Sequence, residues 1–532
     1  MANPTSATSA EAARFWTPRH LAAVTAGRWL AEPQDLDRPL AGLSIDTRTL
    51  GRDDVFLAIK GPRFDGHNFL DAAAQAGAAM AIVETTATSN QPSAVSHAFP
   101  LLHVDNAVAA LHALAHAWRD VLQAAGCRVI AVAGSNGKTT TRHLIHAALQ
   151  GSDVSRSPER TTSDHSKPET RNSKLTGTQS PRSFNNHLGV PLTLLAARAE
   201  HDFVVAEIGT NHPGEVATLA AIARPDAAVI TSVGREHLEH FGSLDAVARE
   251  EGSLLEHVAP QGIAVVEADA WRHITAVLTP PAHLHVIRFG ATPDADLHYT
   301  DLTETPLGLT FEAITSPIAH RPSHIPLTLP LLGRHNASNT LAAVAVGQWM
   351  GVSLDQLAAH LAAVDAVPGR LEVRRLGTLL VLHDAYNANP DSMVAALEAL
   401  AGLSVSSSEF QVSSSPEQTR NAKRRIAILG DMGELGAHGP DAHRQLGDDI
   451  AAHGDAIDRV LLVGRLTLFT AEALARHWPS ESERVQVIGP LDDDALDRIA
   501  GLLAPNDIVL LKASRTVALE RLLPVLEKRF TQ

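Results

Sequence analysis

The segment Val129-Ile130-Ala131-Val132-Ala133-Gly134-Ser135-Asn136-Gly137-Lys138-Thr139-Thr140-Thr141 constrains this chain more than any other. A β-branched apolar run stops at two glycines, a lysine and hydroxyl residues, and an apolar period follows at Leu144, Ile145, Ala148 and Leu149. That order predicts strand, phosphate loop and helix, and so an α/β layer structure. Gly134 and Gly137 would let N–H groups turn inward, and the helix would point its positive end at the same spot. Lys138 would add a charge for phosphates and Thr139 a hydroxyl for Mg²⁺, with Ser135, Asn136 and Thr140 completing the loop. The commoner spacing wants glycine where Val132 stands, so this is a G-x-x-G-K-T variant. A glycine-rich turn that merely joins strand to helix is the alternative. The lysine and threonines in this order favour a nucleotide.

At 532 residues the chain has room for roughly three to four domains, each with its own core. No stretch approaches the ~18 apolar residues of a membrane span, so no membrane insertion is expected. Residues 1–11 lack the apolar core of a secretory signal. One cysteine, Cys127, excludes an internal disulfide framework and any Cys-rich zinc site and fits a reducing cytoplasm. A net charge of −15 argues against a nucleic-acid partner, since phosphate backbones are bound by basic surfaces. Small anions remain possible, because a local nest of N–H groups can hold them on an acidic protein.

Along the chain, Leu43 to Glu84 reads strand, turn, strand, helix, strand. Asp46, Thr47, Arg48, Lys60, Asp65 and His67 gather about turn glycines there. Residues 151–182 and 404–424 are Ser-rich and lack apolar periodicity, which predicts two disordered surface insertions. Between them, Asn185 and Asn186 precede a Gly/Pro turn, where they would cap a helix. Phe203 to Glu207 is a short buried strand ending in an acid. A carboxylate at a strand end beside a phosphate loop is most simply a Mg²⁺ ligand. His237 follows the next strand, and Asn336 opens a later helix. Beyond the segment Val367 to Glu372, strands and helices alternate through Asp384, Asn387, Asn389, Lys512, Ser514 and Arg515, which predicts a parallel, Rossmann-like sheet.

Several of these segments resemble the Mur ligases: Asp46-Thr47-Arg48 with Phe64-Asp65-Gly66-His67, the phosphate loop, Ser183-Phe184-Asn185-Asn186, His237-Leu238-Glu239-His240-Phe241-Gly242, and Gly333-Arg334-His335-Asn336. Asp384-Ala385-Tyr386-Asn387-Ala388-Asn389-Pro390 and Leu429-Gly430-Asp431-Met432 resemble the branch of that family that adds D-alanyl-D-alanine. The resemblance implies three α/β domains: an N-terminal substrate domain over 1–124, a central P-loop ATPase-like parallel sheet over 125–366, and a C-terminal Rossmann-like domain over 367–532. It implies ATP and Mg²⁺ as cofactors and UDP-N-acetylmuramoyl-tripeptide and D-alanyl-D-alanine as substrates, joined through an acyl phosphate in peptidoglycan precursor synthesis. A cytoplasmic monomer is expected.

By the same resemblance Lys138, Glu207, His237 and Arg370 are catalytic, Asn336 meets adenine and Asp384 the ribose. Asp46, Thr47, Arg48, Lys60, Asp65, His67, Asn185 and Asn186 meet the muramoyl substrate, and Asn387, Asn389, Lys512, Ser514 and Arg515 the dipeptide. Two positions depart from the family. Glu251 stands where most members have a lysine that becomes carbamylated and helps hold Mg²⁺, and Ala513 stands where glycine is usual. Glu251 is expected to join Thr139, Glu207 and His237 as a metal ligand. The rival readings are a relative adding another amino acid and a noncatalytic nucleotide-binding descendant weakened at Glu251.

Overall fold

The computed structural model describes residues 4–84, 99–156, 171–315, 323–403, 424–479 and 483–531. Among the described residues three large sheets follow one another along the chain, with one separate two-stranded hairpin. The first has strands Arg28–Ala31, Leu101–Val104, Met80–Glu84, Val55–Leu57 and Leu43–Ser44 in spatial order. All its pairs are parallel except the edge strand Arg28–Ala31.

Helix Ala107–Ala124 joins this domain to the next. Its apolar stripe of Leu111, Leu114, Trp118 and Leu122 belongs to a core that continues through Val129, Ala131 and Val204 of the middle sheet. On the same helix Arg119, 1% exposed, donates to the carbonyls of Ala223 and Arg224 (both 3.0 Å) and to Asp226 (2.8 Å). A buried guanidinium with every strong contact on the neighbouring domain ties the two together, since separating them would strand its charge.

The middle sheet has nine strands. Strands Gly177–Gln179, Phe203–Glu207, Arg128–Ala133, Ala227–Ile230, Ile263–Glu267 and His285–Gly290 run parallel. Their near-continuous Val, Ile and Ala content suits a sheet covered on both faces. An antiparallel meander of Leu297–Thr305, Gly308–Thr315 and Ser323–Leu329 extends it. The third sheet is parallel through Leu379–Asp384, Ile508–Lys512, Arg425–Gly430, Arg459–Val463 and Val485–Gly489, with Glu372–Leu376 antiparallel at one edge.

The first expected insertion is narrower than 151–182. Strands Asp153–Arg156 and Arg171–Lys174 pair as a hairpin, Gly177–Gln179 joins the middle sheet, and residues 157–170 lie outside the described residues. Serine content misled the reading, because these hydroxyls are structural. Ser180 is fully buried, and its Oγ accepts the backbone N–H of Glu207 at 2.9 Å. Of the second insertion, 404–423 lie outside the described residues, and Arg424 is paired with Asp507 at 2.6 Å.

Candidate active site

Parallel register sets the site. Val132 lies opposite Glu207, so the acid ends its strand beside the start of the phosphate loop, at the carboxyl edge where open α/β sheets bind ligands. A cleft of about 1110 Å³ opens there between the middle and third domains, lined by residues of the phosphate loop, Glu207, Glu236, His237, Asn336, Arg370, Asp384, Asn387 and Lys512, among others.

The loop departs from the expected cradle in one respect. Three of its N–H groups are committed inward: Gly134 to Oε2 of Glu251 (2.7 Å), Ser135 to the carbonyl of Ser232 (3.0 Å) and Asn136 to Oγ of Ser232 (2.8 Å). Gly134 is therefore not a cleft residue. Glycine is needed there because φ is 119° and a Cβ would stand 2.4 Å from Oγ1 of Thr231. The N–H groups left to the cleft are those at Gly137, Lys138, Thr139 and Thr140, where helix Lys138–Leu149 begins and its first-turn N–H groups have no partners within the helix.

The Lys138 ammonium donates to the carbonyls of Gly134 and Ser135 and lies 3.5 Å from Glu236. Burial works against its charge, but Glu236, Glu251 and Glu207 outweigh burial and hold its pKa above the usual lysine value. Glu207, 1% exposed, accepts from Oγ1 of Thr139 and from Asn185, both at 3.1 Å, and from Arg142 at 3.2 Å. Arg370, from the connection to the third domain, reaches Oγ1 of Thr139 at 3.1 Å and stacks on Tyr386 with its guanidinium carbon 4.4 Å from the ring centre. The hydroxyl of Tyr386 donates to Ser183 at 2.6 Å.

The third domain closes directly onto the loop. Asn389 caps helix Pro390–Gly402 and donates to the side chain of Asn136 at 2.9 Å. Asp391 accepts from the backbone and side chain of Arg235 at 2.7 and 2.8 Å. Nδ1 of His237 lies 2.9 Å from Glu434, whose carboxyl is lowered by that contact. Lys512, buried at the end of its strand, donates to Asp384 (2.7 Å) and to the carbonyl of Asn387 (3.2 Å). Asp384 also accepts the N–H of Leu371 at 3.2 Å.

Other expected residues fall differently. Glu251, 1% exposed, lies beneath the loop on Gly134 rather than in the cleft, and burial pushes its carboxyl up to about 8. A neutral acid bonded to backbone is a poor ligand for a hard cation. His67 uses both ring nitrogens internally, Nδ1 with Asp65 at 2.6 Å and Nε2 accepting the N–H of Glu84 at 3.1 Å, so it braces its own domain. Asp46 is spent on Arg48, which holds its carboxyl at about 2, and Lys60 bridges to Asp65 along the backbone. Thr47 and these five are absent from the cleft lining. Asn186 lines the cleft, and its side-chain oxygen accepts the N–H of Gly189 at the turn into helix Gly189–Leu195. Asn336 and Asn339 bond each other at 2.9 Å. Ser514 faces Thr516, Arg515 pairs with Glu520, and neither lines the cleft. Buried Ala513 packs over Gly430.

Sequence reasoning missed Arg142, Glu236, Tyr386, Asp391 and Glu434. Tyr386, Asp391 and Glu434 lie in or beside the segments that resemble the family, and Glu236 lies beside His237, but no role had been assigned to any of them. Among the described residues no group of three or more His, Cys, Asp or Glu side chains sits close enough to hold a metal alone. Thr139 and Glu207 do converge as hard oxygen donors, which suits Mg²⁺, an ion that takes its remaining ligands from water and phosphate.

Three family models match the chain: Mur ligase family, catalytic domain, over residues 39–119; Mur ligase middle domain over 132–347; and Mur ligase, glutamate ligase domain, over 369–515. The UDP-N-acetylmuramoyl-tripeptide:D-alanyl-D-alanine ligase of Bacillus subtilis is 31% identical over 509 residues, spanning 95% of this chain and 97% of the relative. Its counterpart in Escherichia coli is 32% identical, spanning 94% and 96%. Among solved structures, a MurF from Acinetobacter baumannii has a TM-score of 0.74 at 28% identity, covering 96% of this chain and 99% of that one. A MurF ligase from Thermotoga maritima, in complex with ADP, has a TM-score of 0.70 at 25% identity, covering 92% and 97%.

Proposed function

The chain belongs to the Mur ligase family, and on that premise we propose that it is an ATP-dependent ligase joining D-alanyl-D-alanine to UDP-N-acetylmuramoyl-tripeptide. The product is the pentapeptide precursor of peptidoglycan, with ADP and phosphate released. The observation that carries this reading is the meeting of Lys138, Thr139 and Glu207 with Arg370, which enters from the connection to the third domain.

A peptide carboxylate is unreactive toward amines until it is phosphorylated. In the first half-reaction a carboxylate oxygen of the tripeptide attacks the γ-phosphorus of ATP, the bond to the β,γ-bridging oxygen breaks, and ADP leaves. Catalysis of such a transfer is mainly positioning and charge neutralisation. Lys138 leaves its loop carbonyls for the phosphates, and Arg370, already held by Tyr386, adds a second cation. Thr139 and Glu207 would hold Mg²⁺, which supplies charge neutralisation on the phosphates. In the second half-reaction the free amine of D-alanyl-D-alanine attacks the acyl phosphate, loses a proton, and expels inorganic phosphate. Lys512 and Asn387 at the third-domain wall are the proposed dipeptide contacts, and Asn336 and Asp384 those for adenine and ribose. We read the enzyme as a cytoplasmic monomer; among the described residues no helix is long and apolar enough to cross a membrane.

The test is phosphate release from ATP with Mg²⁺ and UDP-N-acetylmuramoyl-tripeptide, with and without D-alanyl-D-alanine, with the product identified by mass. Turnover that requires both substrates and yields the pentapeptide is expected. Folded protein that binds ATP yet turns over neither substrate pair would overturn the ligase reading.

A further inference from the structure

Glu236 lines the cleft but has no part in the mechanism above. It follows the strand Ala227–Ile230 on the segment whose backbone is bonded to the phosphate loop: Gly234 donates to Oγ of Ser135 at 2.8 Å. The residue is 7% exposed, with Oε1 3.5 Å from the Lys138 ammonium and Oε2 3.8 Å from Nε2 of His237. Burial raises its carboxyl, and Lys138 and His237 pull against that rise, so its negative charge depends on a cation beside it. A carboxylate buried where polyphosphate must enter is a liability unless something offsets it. Nucleotide phosphates compete for the same ammonium that now faces Glu236. Once Lys138 turns to them, an acid with little access to solvent is left beside several negative charges.

We propose that Glu236 makes nucleotide binding at this loop conditional on a divalent cation. Its carboxylate opposes bare polyphosphate and supplies an oxygen, directly or through water, to the cation that accompanies the nucleotide. Glu236, Glu207 and Thr139 all line the cleft, and the cation replaces Lys138 as the counter-charge of Glu236. The loop thereby discriminates metal-bound from metal-free nucleotide before any chemistry begins. This rests on the reading that the loop binds ATP.

The experiment is titration of ADP into the full-length protein by calorimetry, once in EDTA and once in excess Mg²⁺, for wild type, Glu236→Gln and Glu236→Asp. In wild type Mg²⁺ should tighten ADP binding. In Glu236→Gln, metal-free binding should tighten about tenfold while Mg²⁺-supported binding stays level or weakens, so the advantage conferred by Mg²⁺ shrinks by about tenfold or more. Glu236→Asp, which keeps the charge, should retain most of that advantage, and it decides the matter if the glutamine variant does not fold. An unchanged ratio in Glu236→Gln overturns the proposal. So does weaker metal-free binding, which would mean that Glu236 merely presents Lys138 to phosphate. Wild type that binds no ADP under either condition would instead overturn the ATP-ligase reading itself.

Discussion

Replacing Glu251 by glutamine probes the residue that stands where the family resemblance leads one to expect a lysine. The ordinary glutamate carboxyl titrates at 4.5, whereas burial lifts Glu251 to about 8. Below pH 4.5 both folded and unfolded chains hold the proton, and its contribution to stability is complete. Between 4.5 and 8 only the folded chain holds it, so stability falls as pH rises, by at most about 1.4 kcal/mol per pH unit for one proton. Above 8 the contribution is gone. Glutamine keeps the shape and an acceptor for the N–H of Gly134 but does not titrate. In urea unfolding at pH 5.5 and 7.5, wild type should therefore lose about 2 kcal/mol relative to Glu251→Gln across the interval.

Glu251→Ala separates this titration from the hydrogen bond. It strands a buried N–H and leaves a void, together costing about 3 kcal/mol at both pH values. Because Glu251 sits under the loop, the Mg²⁺ dependence of ADP binding should survive in Glu251→Gln. If wild type and Glu251→Gln shift in parallel between pH 5.5 and 7.5, the carboxyl is ionised in the folded protein and the reasoning fails. If the glutamine variant loses Mg²⁺ dependence, the family's ligand role has been kept by a glutamate after all.

Other residues give sharper and simpler outcomes. Arg370→Lys keeps the charge but loses the guanidinium's hydrogen bond to Thr139 and the stack on Tyr386, so kcat should fall about tenfold to a hundredfold with ADP affinity nearly intact; equal kcat would remove Arg370 from the mechanism. His67→Ala should lower unfolding stability by about 1–3 kcal/mol while KM for the muramoyl substrate changes less than about twofold; a large KM effect at normal stability would restore a substrate role. Cys127 is buried and its thiol is pushed up to about 12, so a thiol reagent should label it only as the protein unfolds, which mass spectrometry along a urea series would follow.

The fold was legible where local pattern and tertiary environment agree. Buried parallel strands such as Phe203–Glu207 must be apolar throughout, and a strand, glycine loop and helix in sequence leave few alternatives. Residues 171–182 were illegible because a half-buried edge strand carries little hydrophobic signal. Its place is fixed by long-range bonds, Arg142 to Gln179 and Ser180 to Glu207, that no window of sequence contains. The antiparallel meander of Leu297–Thr305, Gly308–Thr315 and Ser323–Leu329 likewise depends on which sheet it joins.

The site follows the same rule with a more specific lesson. The position of Lys138, Thr139 and Glu207 at one cleft could be read from sequence because each is placed by its own strand or loop end. The contacts of Asp391, Tyr386 and Glu434 could not, since their partners Arg235, Ser183 and His237 lie across a domain boundary. Those partners also explain why reading motifs one at a time overstates the ligands. His237, expected to face a metal, has one ring nitrogen against Glu434, and Asn389, expected to face dipeptide, holds Asn136. In this closed arrangement the third domain occupies with its own side chains part of what substrates would otherwise contact. Binding must exchange those contacts for ligand ones, and so the motifs that close the cleft are also the ones that must release it.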